Sequence, residues 1–77
     1  MHIRVKYFGQ IVEVTNTQEE ILEVAGSQVS DLLKVLNTKY GQLENKDFQI
    51  AQNQELVSLE TELTGLEIAL LPPFAGG

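Results

Sequence analysis

The chain has no cysteine and no tryptophan, a single histidine at His2, and only five Lys and Arg against eleven Asp and Glu, which leaves a net charge of −6. Each shortage closes off a class of function. Without cysteine there is no disulfide, no thiol nucleophile and no thiolate-ligated zinc or iron–sulfur cluster, and one imidazole does not make a metal-ligand set. The scarcity of basic residues speaks against nucleic acid and anionic membranes, both of which demand a cationic face, and favours basic protein partners. No apolar run approaches the roughly 20 residues of a membrane span, and Met1-His2-Ile3-Arg4 leads into alternating residues rather than a secretory apolar segment, so a cytoplasmic location is expected. What is present, 43% apolar and 21% charged residues in a chain of 77, is the composition of one globular domain around one small core, with no room for a large substrate pocket.

Periodicity then orders the chain. Ile3, Val5 and Tyr7 alternate with Arg4, Lys6 and Phe8, the period of a half-buried strand, and parity puts Phe8 on the outward Arg4/Lys6 side. Gly9 to Thr17 carries turn chemistry at Thr15-Asn16-Thr17 and is expected as a short helix or irregular loop. Gln18 to Val24 predicts a second strand, ended by Ala25-Gly26-Ser27. Val29, Leu32, Leu33, Leu36 and Tyr40 recur at helical spacing and predict an amphipathic helix over 29–40. Ser27 or Gln28 is its expected cap, with Ser the better acceptor; Asp31 and Lys39 lie at the ends that suit their charges, and Gly41 is the expected stop. Phe48 to Gln52 and Leu56 to Leu59 read as two short strands joined at Asn53-Gln54-Glu55, and Thr64-Gly65 turns the chain into a last strand, Leu66 to Leu71. This order predicts an α+β domain in which a mixed sheet of about four to five strands carries one main helix across one face. The other face must be solvated or meet another protein. Phe8 and Leu71, with Leu59 or Leu63 from the preceding loop, are its candidate contacts.

The most informative segment is the last, Leu71-Pro72-Pro73-Phe74-Ala75-Gly76-Gly77. Pro72 and Pro73 restrict φ and bias Leu71 toward extended geometry, so 72–77 is expected to leave the 1–71 domain as a tail that is stiff at its root. At about 3.3–3.6 Å per residue such a tail reaches roughly 20 Å, enough to enter another protein's active site. Gly76 and Gly77, lacking Cβ, form the thinnest peptide available, able to thread a channel that excludes side chains and to present a bare α-carboxylate. The reactive group is then main chain.

Taken together, the first strand running into Tyr7-Phe8-Gly9-Gln10, the mid-chain helix and Glu67-Ile68-Ala69-Leu70-Leu71-Pro72-Pro73-Phe74-Ala75-Gly76-Gly77 resemble the MoaD family, the small sulfur-carrier subunits of molybdopterin synthase, over essentially the whole chain. The resemblance implies a ubiquitin-like β-grasp fold. It implies that the Gly77 carboxylate is adenylated by a separate ATP-dependent activating enzyme and that sulfur from a persulfide protein replaces the adenylate, leaving a thiocarboxylate. The tail would then insert into the large synthase subunit, within a heterotetramer, and donate sulfur to the cyclic pyranopterin precursor of the molybdenum cofactor. Such a chain has no catalytic site of its own and binds no metal or cofactor; ATP serves the activating enzyme. Gly77 is the implied reactive residue with Gly76 behind it, and Phe8, Leu59, Leu63, Leu71, Pro72, Pro73, Phe74 and Ala75 are the implied partner-binding set. The sequence departs from the family at Thr64-Gly65-Leu66, where the pattern is closer to Asp-Gly-Asp. Rival readings are a sulfur carrier for thiamine synthesis or tRNA thiolation, a protein modifier joined through Gly77 to lysines, and a plain interaction domain. The Pro72-Pro73 pair and the Phe8-Gly9 junction favour the molybdopterin member.

Overall fold

The computed structural model describes residues 1–65 and 67–73. Along the chain run β1 (His2–Tyr7), a short helix α1 (Ile11–Thr15), β2 (Glu19–Glu23), the main helix α2 (Val29–Lys39), a 3-10 turn (Gly41–Asn45), β3 (Gln49–Gln52), β4 (Glu55–Leu56) and β5 (Ile68–Leu71). The strands form one five-stranded sheet in the order β2-β1-β5-β3-β4. β5 is parallel to β1 and antiparallel to β3, and the remaining pairs are antiparallel. The first and last strands are therefore neighbours at the centre, and the C-terminal segment leaves from the middle of the sheet.

Alternation decides which face is core. Ile3, Val5 and Tyr7 of β1 and Ile68 and Leu70 of β5 are buried against Val29, Leu32 and Leu36 of α2, with Ile11 and Leu43 closing one end. Burial of each such side chain is worth about 1.5–3 kcal/mol, which is what makes a helix of modest length stable here.

Three local expectations are revised. Ser27 is not the cap of α2: Gln28 holds that position, and the Asp31 carboxylate accepts the backbone N–H of both Ser27 (3.1 Å) and Gln28 (3.0 Å). Gly26 permits this, because a Cβ there would lie 2.1 Å from Asp31 Cγ. Nor does Gly41 stop the helix. Tyr40 does, leaving helical geometry at φ −128° and ψ 83° while its N–H still bonds Leu36 O at 2.7 Å. Finally, the expected strand Leu56 to Leu59 shrinks to the pair Glu55–Leu56, joined to β3 by a two-residue turn in which Asn53 (φ 54°) and Gln54 (φ 69°) both adopt positive φ. Beyond Val57 the chain crosses to α2, where the carbonyls of Leu59 and Thr61 accept the N–H groups of Ser30 and Val29, each at 2.9 Å. These are helix N-terminal donors with no partner inside the helix, so the loop is committed to the helix rather than to the sheet.

That commitment overturns the exposed role expected for Leu63. Its N–H bonds Ser27 O at 2.7 Å, and its side chain is buried in the core at 6% exposure. Gln52, itself buried, holds the loop from the other side: its Nε2 donates to Glu62 O at 3.0 Å and its Oε1 accepts the Thr64 N–H at 3.1 Å. A buried amide satisfied at both ends is a rigid clasp. At the expected turn Thr64-Gly65 the chain bends, with Gly65 at φ 86°, and the last strand begins at Ile68 rather than Leu66. Leu66 lies outside the described residues.

Candidate functional site

The root of the tail is assembled by β1, β5 and the turn into α1. Phe8 follows β1, and its backbone is tied at both ends: its N–H donates to Leu70 O (3.1 Å) and its C=O accepts the Ile11 N–H (3.2 Å). Its ring is 43% exposed. An apolar side chain is thus held out on a fixed backbone. Leu71, half-buried, lies on the same outward side and is paired across the sheet with Gln49 of β3. On the β3–β4 side, Phe48, Gln49, Leu56 and Leu59 line a shallow groove of about 460 Å³, with Leu59 50% exposed. Phe8 and Leu71 therefore share the tail end of the molecule, whereas Leu59 stands in the β3–β4 groove with its carbonyl bonded to the start of α2, and Leu63 is buried in the core. Between them Ala69 and Ala51, paired in register, keep the outer face low.

Gly9 explains how the root is aimed. It sits at φ 60°, and a Cβ at this position would lie 2.5 Å from Pro72 Cγ, so the proline ring occupies the space a side chain would need. Beneath this contact Gln10, Ile11, Asn45, Lys46, Pro72 and Pro73 surround a cleft of about 250 Å³. Pro72 and Pro73 are exposed, as a departing segment requires. Phe74, Ala75, Gly76 and Gly77, which carry the implied chemistry, lie outside the described residues.

A half-buried polar knot braces the same end. The Glu20 carboxylate accepts the hydroxyls of Tyr7 (2.6 Å) and Tyr40 (2.5 Å) and pairs with Lys39 Nζ (2.6 Å), joining β1, β2 and the end of α2. Burial alone would raise the Glu20 carboxyl, but hydrogen bonds from Lys39, Tyr40 and Tyr7 outweigh it and hold the group below its ordinary value. Burial, followed by the bond to Glu20, raises both phenols, and the bond to Glu20 raises Lys39. Lys39, expected in the last turn of the helix where its charge suits the dipole, is also a partner in this knot. The Tyr7 and Tyr40 rings meet edge to face, with centroids 6.2 Å apart.

A family model described as the ThiS family matches residues 5–77. The chain is 34% identical, over the full length of both sequences, to a molybdopterin synthase sulfur carrier subunit of Chlamydomonas reinhardtii. The chain belongs to the MoaD/ThiS family of ubiquitin-like sulfur carriers. Its fold is that family's β-grasp: it superposes with a TM-score of 0.71 and 31% identity, over all of both chains, on a structure from Helicobacter pylori described as a complex of subunits 1 and 2 of molybdopterin-converting factor. It also resembles small archaeal modifier protein 1 of Methanosarcina acetivorans, with a TM-score of 0.80, 29% identity and coverage of 99% of this chain and 96% of that one. Among the described residues of this MoaD/ThiS chain no helix is long and apolar enough to cross a membrane.

Sequence reading of this family member missed three residues. Gly9 appeared only as part of a motif, since neither a positive φ nor a distant proline is visible in a linear chain. Ile21 and Leu56, at 60% and 63% exposure, are more exposed than Phe8, and the sequence placed both in strands without singling out either.

Proposed function

We propose that this chain is the sulfur-carrier subunit of molybdopterin synthase. The observation that carries the reading is the tail root: a strand at the centre of the sheet runs straight into Pro72-Pro73, which is seated on Gly9 beside the outward Phe8, ahead of a Gly76-Gly77 terminus. Full-length identity to a sulfur carrier subunit and likeness to a chain described in complex with a second subunit support it. Adenylation turns the poor electrophile of the Gly77 carboxylate into an acyl group with a good leaving group, releasing pyrophosphate. The terminal sulfur of a donor persulfide displaces AMP, and a neighbouring donor thiol reduces the resulting disulfide to free the thiocarboxylate. The tail then enters the large subunit, which holds the anionic pterin that a chain of charge −6 would repel. Phe8, Leu59 and Leu71 contact that subunit, with Pro72, Pro73, Phe74 and Ala75 lining its channel.

The test is the intact mass of the chain after incubation with ATP, its activating enzyme and a sulfur source. Exchange of one terminal oxygen for sulfur is expected, followed by conversion of the pyranopterin precursor once the large subunit is added. Loading without conversion would point to thiamine or tRNA sulfur transfer, and lysine-linked adducts would point to a modifier, the reading favoured by the likeness to the archaeal modifier protein. Gly76→Val should abolish loading with an unchanged melting temperature; a fully active variant would refute the threading role.

A further inference from the structure

β2 is an edge strand whose partner in the sheet is β1. Its hydrogen-bonded register is set at both ends: Met1 and Val24 exchange N–H···O bonds of 3.0 and 2.8 Å, and the Tyr7 N–H bonds Gln18 O at 2.9 Å. Alternation along an antiparallel ladder then turns the backbone groups of Leu22 and Glu20 inward to β1, and those of Glu19, Ile21 and Glu23 outward. The Thr17 hydroxyl closes one end by donating to Glu19 O at 3.0 Å. Ile21 and Glu23 remain with N–H and C=O directed away from the sheet and no backbone partner among the described residues.

Charged side chains guard a sheet edge against pairing with its own kind, and Glu19 and Glu23 supply that charge here while leaving the outward backbone groups uncovered. Here the central residue is a β-branched isoleucine, 60% exposed, with a glutamate two residues to each side. Glu23 has no ion pair among the described residues, and Glu19 has only a 3.8 Å approach to Arg4. We propose that β2 accepts a short extended segment of a partner protein as an additional strand, bearing an apolar side chain opposite Ile21 and lysine or arginine opposite Glu19 and Glu23. The ladder supplies affinity, the cross-strand pairs supply selectivity, and the acidic surface steers a basic segment toward the edge. This edge lies on the far side of β1 from β5, and only its Glu19 end shares a cleft with Phe8 and Gly9 at the root of the tail.

The probe is an end-blocked peptide in which lysine and threonine alternate about a central valine, titrated into the full chain and followed by amide NMR and hydrogen exchange. Binding is expected with protection of the Ile21 and Glu23 amides. Ile21→Lys should weaken it roughly tenfold, about 1.4 kcal/mol, without lowering the melting temperature, and a peptide N-methylated at alternate amides should fail to bind. Absence of binding overturns the proposal. So does binding that leaves those amides unprotected, which is charge adsorption, and so does self-association of the chain through β2, seen by sedimentation and reversed by Ile21→Lys.

Discussion

The segment leading into β5 and the segment leaving it are held in opposite ways. The approach, Leu59 to Thr64, is bonded by its backbone to the start of α2 and clasped by Gln52, and it drives Leu63 into the core. The departure meets the body through the packing of Pro72 on Gly9 and, because proline has no N–H, Pro72 and Pro73 cannot extend the ladder with either neighbouring strand. Both segments are leucine- or proline-bearing connections of similar length. One is fastened by satisfied polar groups; the other, at Pro72 and Pro73, is pointed by shape, the arrangement that the proposed entry of the tail into a partner would use.

The sharpest way to break this contrast is to truncate the two loop leucines. Leu63→Ala should cost about 2–4 kcal/mol in denaturant unfolding through the cavity it leaves, whereas Leu59→Ala should fall within about 0.5 kcal/mol and instead weaken binding of the large subunit. Equal costs would dissolve the distinction. Next, Gly9→Ala must adopt a positive φ against Pro72, with an expected loss of about 1–3 kcal/mol and a fall in sulfur loading; Gly41→Ala, which meets open space, should leave both unchanged. Gln52→Ala should cost about 1–2 kcal/mol and raise hydrogen exchange at Thr64 while leaving the tail's loading intact.

The smallest effect concerns the Glu20 knot, which braces the departure end. Because the Glu20 carboxyl is held below its ordinary 4.5, its contribution is complete above that value and is lost as pH falls through the lower folded one. Tyr7 and Tyr40 are raised above 10.0 and Lys39 above 10.5, so their contributions are complete below those values and lost as pH climbs toward the folded ones. Tyr40→Phe should cost about 1 kcal/mol at neutral pH, and the melting temperature should decline less steeply at both extremes than in the parent chain.

Much of the fold was legible because it depends on near neighbours. The period of two in Ile3-Arg4-Val5-Lys6-Tyr7 and the three-four spacing of Val29, Leu32 and Leu36 placed a strand and a helix within a residue of where they are found. The fate of Leu63 was not legible, because it follows from bonds to Ser27 and Gln52, distant in sequence and adjacent only after the sheet closes. Ile21 was hidden for a related reason: which face of a strand is covered is read from alternation, but whether its edge is covered depends on where the strand falls in the sheet.

The sequence by itself determined most of the elements and the acidic, cysteine-free composition, since these follow from side-chain type and local periodicity. Tertiary structure alone decided that β5 lies between β1 and β3, that Pro72 rests on Gly9, and that Glu20 gathers Tyr7, Tyr40 and Lys39. Those outcomes require segments far apart in the chain to compete for the same space and the same hydrogen bonds, and that competition is settled only when the core forms.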